Sequence, residues 1–307
     1  MLSEVWKRLE QIDIDSVLET GYIEELTEDT PFSPFPQQQF TERVDIAAAS
    51  MLEGRIVILV DGTPDVLIVP STLATLLQAA DDYYNRSLYT STLRFLRYCT
   101  LFISLVLPAV YVALLNFHQE MIPNKLLISI TSAREAIPFP TIVEVLMMQL
   151  AFEVLREAGL RLPRQIGSAV TIVGALVVGE AAVSAGLVSA PIVIIIAFTG
   201  IAGFTAPHYS LELSLRLLRL LLIIAGGTLG MLGVMFGIIA IAIHLCTLRS
   251  FGVPYLSPFA PFALDSMKDT LIRVPWWSMV RRPGFSTGRN RRRLARGQKP
   301  GPHKGGS

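Results

Sequence analysis

Cysteine is nearly absent. Only Cys99 and Cys246 occur in 307 residues, both inside apolar runs. Two such thiols exclude a disulfide-stapled scaffold and read as buried membrane thiols. Histidine is scarce too, with 4 in the chain, and none joins a carboxylate or thiol at metal-ligand spacing. His208 and His244 read as residues at the ends of apolar segments. No phosphate-cradling glycine loop, G-x-S-x-G elbow or H-E-x-x-H pair is present. Asp61-Gly62-Thr63 follows a strand-like run, as in the phosphatase signature D-x-D-G-T. Leu59 stands where that chemistry needs its nucleophilic aspartate. Nothing here argues for an enzyme, and no cofactor or metal is expected. The first 30 residues lack an apolar core and carry eight or more acids, so no secretory signal opens the chain and the head is expected in the cytoplasm.

What is present is apolar. The hydrophobic fraction is 51% and the mean hydropathy +0.51, which excludes a disordered chain and exceeds ordinary soluble domains. The net charge of +1 hides a segregation. Residues 1–92 hold 16 acids and 5 bases, residues 93–267 hold 8 and 10, and residues 268–307 hold 1 and 11. An acidic head, a greasy body and a basic tail follow one another. Three parts are expected: a partial cytoplasmic α/β domain over 1–92, a helical membrane domain over 93–250, and a mostly disordered basic cytoplasmic tail over 251–307. The tail's positive charge, behind such a body, points to anionic lipid rather than nucleic acid.

The head is read from its punctuation. Ser3–Gln11 has helical spacing, and the proline-rich run Thr30–Pro36 excludes regular structure. Arg55–Val60 and Val66–Val69 are predicted strands about an Asp61-Gly62 turn, apolar enough to be covered on both faces. Leu73–Tyr84 is a predicted helix. A head this short buries little core.

About 20 apolar residues span a bilayer as a helix. Four stretches qualify: Leu101–Phe117, Ile166–Val188, Ser189–Ala206 and Leu217–Leu245. Pro108 is a potential kink in the first. The last is too long for a straight crossing and is expected to tilt or kink. Thr141–Glu157 is helical and apolar but carries Glu144, Glu153, Glu157 and Arg156, so an interfacial or re-entrant helix is favoured over a plain span. The fold expected is mainly α and polytopic, with four transmembrane helices plus this one. Arg94 and Arg97, with the basic tail, place both ends in the cytoplasm. The cluster Arg156, Arg161 and Arg164 then falls outside, against the rule.

Gly167, Gly174, Gly179 and Gly186 punctuate the second span. Gly226/Gly230 and Gly233/Gly237 give two G-x-x-x-G pairs in the fourth, read as a close packing face within or between subunits. Glu180 lies within the second span, where an acid either serves ion passage or is a hydrogen-bonded structural group. Glu180, Glu144, Glu153 and Glu157 are the candidate ion-pathway residues.

Several runs carry a resemblance: Arg134–Pro140 (REAIPFP), Phe152–Pro163 (FEVLREAGLRLP), Ile172–Val183 (IVGALVVGEAAV), Ser250–Tyr255 (SFGVPY), Phe35-Pro36, Thr41–Arg43, Val60–Pro64 and Asp82–Tyr84. Together, over about Gly21 to Phe262, the sequence resembles the A subunit of the GerA family of spore germinant receptors. The related sporulation protein SpoVAF shares this architecture. The resemblance implies a longer cytoplasmic domain in front, of which this chain keeps the last part, and a glutamine where Glu180 stands. It also implies a role in spore germination in the spore inner membrane. The implied partners are a transporter-like, nutrient-binding B subunit and a lipoprotein C subunit, with the A subunit oligomerising into a nutrient-gated cation channel. A non-conducting assembly subunit and a secondary transporter are the alternatives; no inverted repeat supports the last.

Overall fold

The computed structural model describes residues 1–282, 292–295 and 297–301, and for 164–173, 264 and 265 the backbone course only. Arg289, Arg291 and Lys304 lie outside the described residues, as do the surroundings of Gly167 and the side chain of Arg164. The chain is mostly helical with a small strand portion, and it divides into two compact units.

The first unit comprises Met1–Tyr98, Pro207–Leu211 and Ala242–Ser307. Helix α1 (Leu2–Glu10) forms where its spacing predicts it, burying Val5 against Val69 and Phe251. Helix α2 (Thr20–Thr27) follows. Strands β1 (Gln39–Thr41), β2 (Ile56–Leu59) and β3 (Val66–Val69) make an antiparallel sheet of order β1-β3-β2. Gly62, at φ 88°, supplies the turn conformation between β2 and β3 that other residues resist. Only the central strand is covered as expected: Leu67, Ile68 and Val69 are fully buried, while Leu59 on edge strand β2 is 76% exposed. Strand β1 is too short and polar to read from sequence. Helix α3 (Val44–Leu52) connects β1 to β2.

The predicted helix Leu73–Tyr84 is cut short. Helix α4 (Leu73–Leu76) starts on a reciprocal Thr72/Thr75 cap and lasts one turn. A 3-10 turn, Ala80–Tyr83, replaces the rest, because the Asp82 carboxylate accepts the Ala79 N–H at 3.2 Å. After α10, named below, β4 (Arg249–Ser250) and β5 (Val253–Pro254) pair across a turn with Phe251 at φ 48° and Gly252 at 81°. Tyr255 is fully buried, and Ser250 Oγ accepts from Ser71 N at 3.1 Å. Residues on both sides of position 250 thus join the same core. A four-residue helix, α11 (Leu264–Met267), precedes the 3-10 turn Trp276–Ser278.

The second unit comprises Cys99–Ala206 and Glu212–Ile241. Its helices are α5 (Ser87–Phe117, continuous through Pro108), α6 (Asn124–Arg134), α7 (Thr141–Arg161), α8 (Arg164–Ser184), α9 (Ala190–Gly203) and α10 (Tyr209–Thr247). Among the described residues, α5 and α10 are long and apolar enough to cross a membrane. Two expectations change. Helix α9 has 14 residues, roughly 21 Å, short of a 30 Å hydrocarbon core. And α10 is not one helix.

At Gly230 the backbone leaves the helix, with φ 65° and ψ −147°. A Cβ built on Gly233 would strike the Ala225 carbonyl, one on Gly237 would strike Leu222, and one on Gly226 would lie 3.1 Å from Val234. In a straight helix residues 222 and 237 would stand about 22 Å apart. The two arms, 209–229 and 231–247, therefore fold back on each other as a hairpin with Gly230 at its tip. Its four G-x-x-x-G glycines do not share one helix face. Gly226, Gly233 and Gly237 let the arms approach closely, and a Cβ built on Gly226 would also lie 2.7 Å from the Ala109 carbonyl oxygen of α5.

Candidate functional site

The helical unit has two ends, each marked by charge. At one end, Phe117 and His118 close α5 beside Gly230, with both residues 3.0 Å from a Cβ built there. Here Glu144, fully buried in the first turn of α7, accepts from Arg134 at 2.8 and 3.1 Å and from Ser189 N at 3.1 Å. The Pro138-Phe139-Pro140 break precedes α7, and this acid is paired with Arg134.

The other end holds a cluster of five charges from two helices. Glu153 and Arg156 lie on α7; Glu212, Arg216 and Arg219 lie on α10 at helical i, i+4 and i+7 positions. Arg156 pairs with Glu212, and Arg216 stands 3.3 Å from both Glu153 and Glu212. Arg156 also stacks on Phe204, 4.5 Å from the ring centre, and on Phe152 at 5.1 Å. Gly200 and Gly203 of α9 lack the side chains that would collide with Phe152 and crowd Glu212. Arg219 is 1% exposed. Three guanidiniums thus meet two carboxylates. Arg216 and Arg219 did not figure in the sequence reading, although their spacing from Glu212 was there to see.

The other acids stand apart. Among the described residues Glu157 pairs only with Arg161, exposed, one turn on at 2.7 Å. Glu180 sits in the last turn of α8, not at the middle of a span, because the helix ends at Ser184 before Gly186 (φ 67°). It is exposed, beside exposed Leu176, Val177 and Val178, with no hydrogen bond or ion pair among the described residues. The structure therefore does not bring Glu144, Glu153, Glu157 and Glu180 together.

The first unit has its own ion network. Arg94, fully buried, donates to Asp82 at 2.8 Å and to the Asp269 carboxylate at 2.9 Å; Arg97 donates to Asp82 at 2.9 and 3.1 Å. Burial alone would raise the Asp82 carboxyl, but Arg97 and Arg94 hold it below its ordinary value; burial does raise Asp269. Both arginines are consumed by these acids and are not free basic flanks. Nearby, Glu53 accepts from Arg55 at 3.0 Å and from Arg293, which stacks on Trp276. Together with Tyr83, these residues line a cavity of about 490 Å³. Among the described residues no group of three His, Cys, Asp or Glu could hold a metal ion.

A family model described as "Bacillus/Clostridium GerA spore germination protein" matches residues 1–285. The chain is 53% identical over 302 residues to spore germination protein KA of Bacillus subtilis, covering 98% of this chain and 56% of that protein. It is 51% identical over 300 residues to the uncharacterized membrane protein YfkQ of the same organism, covering 98% and 58%. To spore germination protein GerLA of Bacillus cereus it is 45% identical over 285 residues, covering 93% and 58%. The chain therefore spans little more than half the length of these relatives. No solved structure matches it.

Proposed function

Since the chain belongs to the GerA family of spore germination proteins, we propose that it acts as the A-type subunit of a germinant receptor in the spore inner membrane, with several copies lining a nutrient-gated cation pathway. Glu180 is the observation that carries this reading. A carboxylate exposed on an apolar helix is too costly against lipid, so it faces water or another subunit. In a symmetric ring each copy adds one such group, and a ring of carboxylates attracts cations. B- and C-type subunits complete the complex in this reading.

The same proposal revises the topology. Passes run between the two ends of the helical unit along α5, α7, α8, α9 and each arm of α10. That makes six crossings, an even number, with short α9 among them. Arg156, Arg161 and Arg164 then fall on the cytoplasmic side, in accord with the positive-inside rule. A second reading, a non-conducting subunit that couples a nutrient-binding partner to germination, is favoured by the pairing of Glu144, Glu153 and Glu157 with arginines.

Reversal potentials of the reconstituted protein in a salt gradient separate the two. Cation-selective current that weakens in Glu180→Gln supports the channel. No current from assembled protein supports the coupling subunit, and current unchanged by the substitution removes Glu180 from the pathway.

A further inference from the structure

We infer that the helical unit binds one small monovalent anion, a halide or a carboxylate of formate or acetate size, between the guanidiniums of Arg156 and Arg219. Arg219 is 99% buried, and its Nε and Nη1 have no hydrogen-bond partner among the described residues. Arg156 is 93% buried and spends only Nη1, on Glu212. Its Nε and Nη2 have no hydrogen-bond partner among the described residues. Those two donors form the parallel edge that grips a carboxylate bidentately and a halide from two sides. A guanidinium cannot shed its charge, so two buried ones with unspent donors call for a negative partner.

Among the described residues the chain supplies no further one. Glu153 and Glu212 are already shared with Arg216. Arg219 lies within electrostatic reach of both acids but in no ion pair with either, and it is repelled by Arg156 and Arg216. Glu120, Glu135, Glu144, Glu157 and Glu180 touch neither guanidinium, and residues 164–173 contain no acid. One bound anion brings the set to three positive and three negative charges, leaving it neutral in an apolar unit. At Gly203 the α9 backbone comes close to the set, since a Cβ built there would lie 3.3 Å from Glu212 Oε1 and 3.8 Å from Arg219 Nη2. The anion is small because both guanidiniums are more than nine-tenths buried.

The inference does not rest on the germination reading, because its test reads binding by the purified chain. Thermal unfolding of the full chain in detergent is followed at equal ionic strength in sodium gluconate, chloride, bromide and acetate. Gluconate is too large for the site. A saturable rise of several degrees in the three small anions over gluconate is expected. Arg219→Met and Arg219→Gln should lose that rise while matching or exceeding the unchanged chain in gluconate, where the unpaired charge is gone. Arg161→Gln, which touches only the exposed Glu157, should keep it. Equal midpoints for the unchanged chain in all four salts, or a rise that survives both Arg219 variants, overturns the inference. Should neither variant fold, chloride NMR line broadening by the unchanged chain decides. Broadening that acetate displaces supports the site, and its absence overturns it.

Discussion

Gly230→Ala tests the α10 hairpin at its hinge. The φ of 65° and ψ of −147° lie in a region nearly closed to residues with a Cβ, at a strain of about 1–3 kcal/mol. The new methyl would also sit 3.0 Å from Phe117 Cβ and Cγ and from His118 Cε1. Overpacking of that kind costs about 1–3 kcal/mol. Against this, alanine narrows the unfolded ensemble by about 0.4–1 kcal/mol. The expected net loss is about 1–5 kcal/mol, read by denaturant titration in detergent micelles. Gly21→Ala in α2, with nothing within 4 Å of the new atom, should lose no stability in the same assay. A disulfide makes the geometry itself visible. In a background with Cys99 and Cys246 replaced by serine, Leu222→Cys with Gly237→Cys removes the leucine that a Cβ at 237 would strike. Oxidation should close an intrachain bond, seen as a two-proton mass loss. A straight helix holds these positions about 22 Å apart, far beyond disulfide reach of about 4.4–6.8 Å. No bond, together with a Gly230→Ala chain as stable as the original, would refute the hairpin.

Arg94→Leu should cost the first unit about 3 kcal/mol, since it leaves the buried Asp82 with Arg97 alone and Asp269 with no guanidinium. Arg94→Lys should recover little, because one ammonium cannot span both carboxylates; chemical denaturation reads both. Glu144→Leu should cost about 2–4 kcal/mol, softened by Arg134's partial exposure, and a loss under 0.5 kcal/mol would show the pair to be idle. Burial pushes Glu24 and Glu28 up to about 7 from an unfolded value of 4.5. Both are protonated below pH 4.5 in either state, so no penalty arises there; it accumulates as pH rises and is complete above about 7. Glu24→Gln/Glu28→Gln should therefore match the original near pH 4.5 and exceed it by up to about 2 kcal/mol at pH 8, a figure discounted for partial exposure. A pH-independent difference in unfolding free energy would contradict this.

Local pattern carried much of the first unit. Helical spacing located α1, and the apolar runs on either side of Asp61-Gly62 located β2 and β3 within one residue. Strand β1 escaped because three residues, two of them polar, carry no period. The exposed edge of β2 escaped because an apolar run does not say which strand has neighbours on both sides. The hairpin in α10 was hidden for a different reason. In water a reversal needs polar turn residues, but in an apolar unit one glycine at positive φ suffices, and hydropathy passes over it without a dip. The G-x-x-x-G spacing was legible, yet spacing alone cannot tell one face of one helix from two arms facing each other.

The charges show the same limit more sharply. Arg94 read as a basic flank because its partner Asp269 lies 175 residues onward, and Arg97 because its pairing with Asp82 crosses the start of α5. Arg156 read as one of three bases falling outside against the positive-inside rule; its burial against Glu212 was not legible from position alone. The spacing of Gln149, Glu153 and Arg156 on α7 mirrors that of Glu212, Arg216 and Arg219 on α10, polar at i, acid or base at i+4, base at i+7. Two such stripes in otherwise apolar helices have one economical arrangement, face to face, since each alone would expose its charges to an apolar surround. That inference needs only the sequence, and it would have placed α7 inside the helical unit rather than along its edge. It would also have exposed the odd guanidinium, because two acids cannot neutralise three bases however the helices turn.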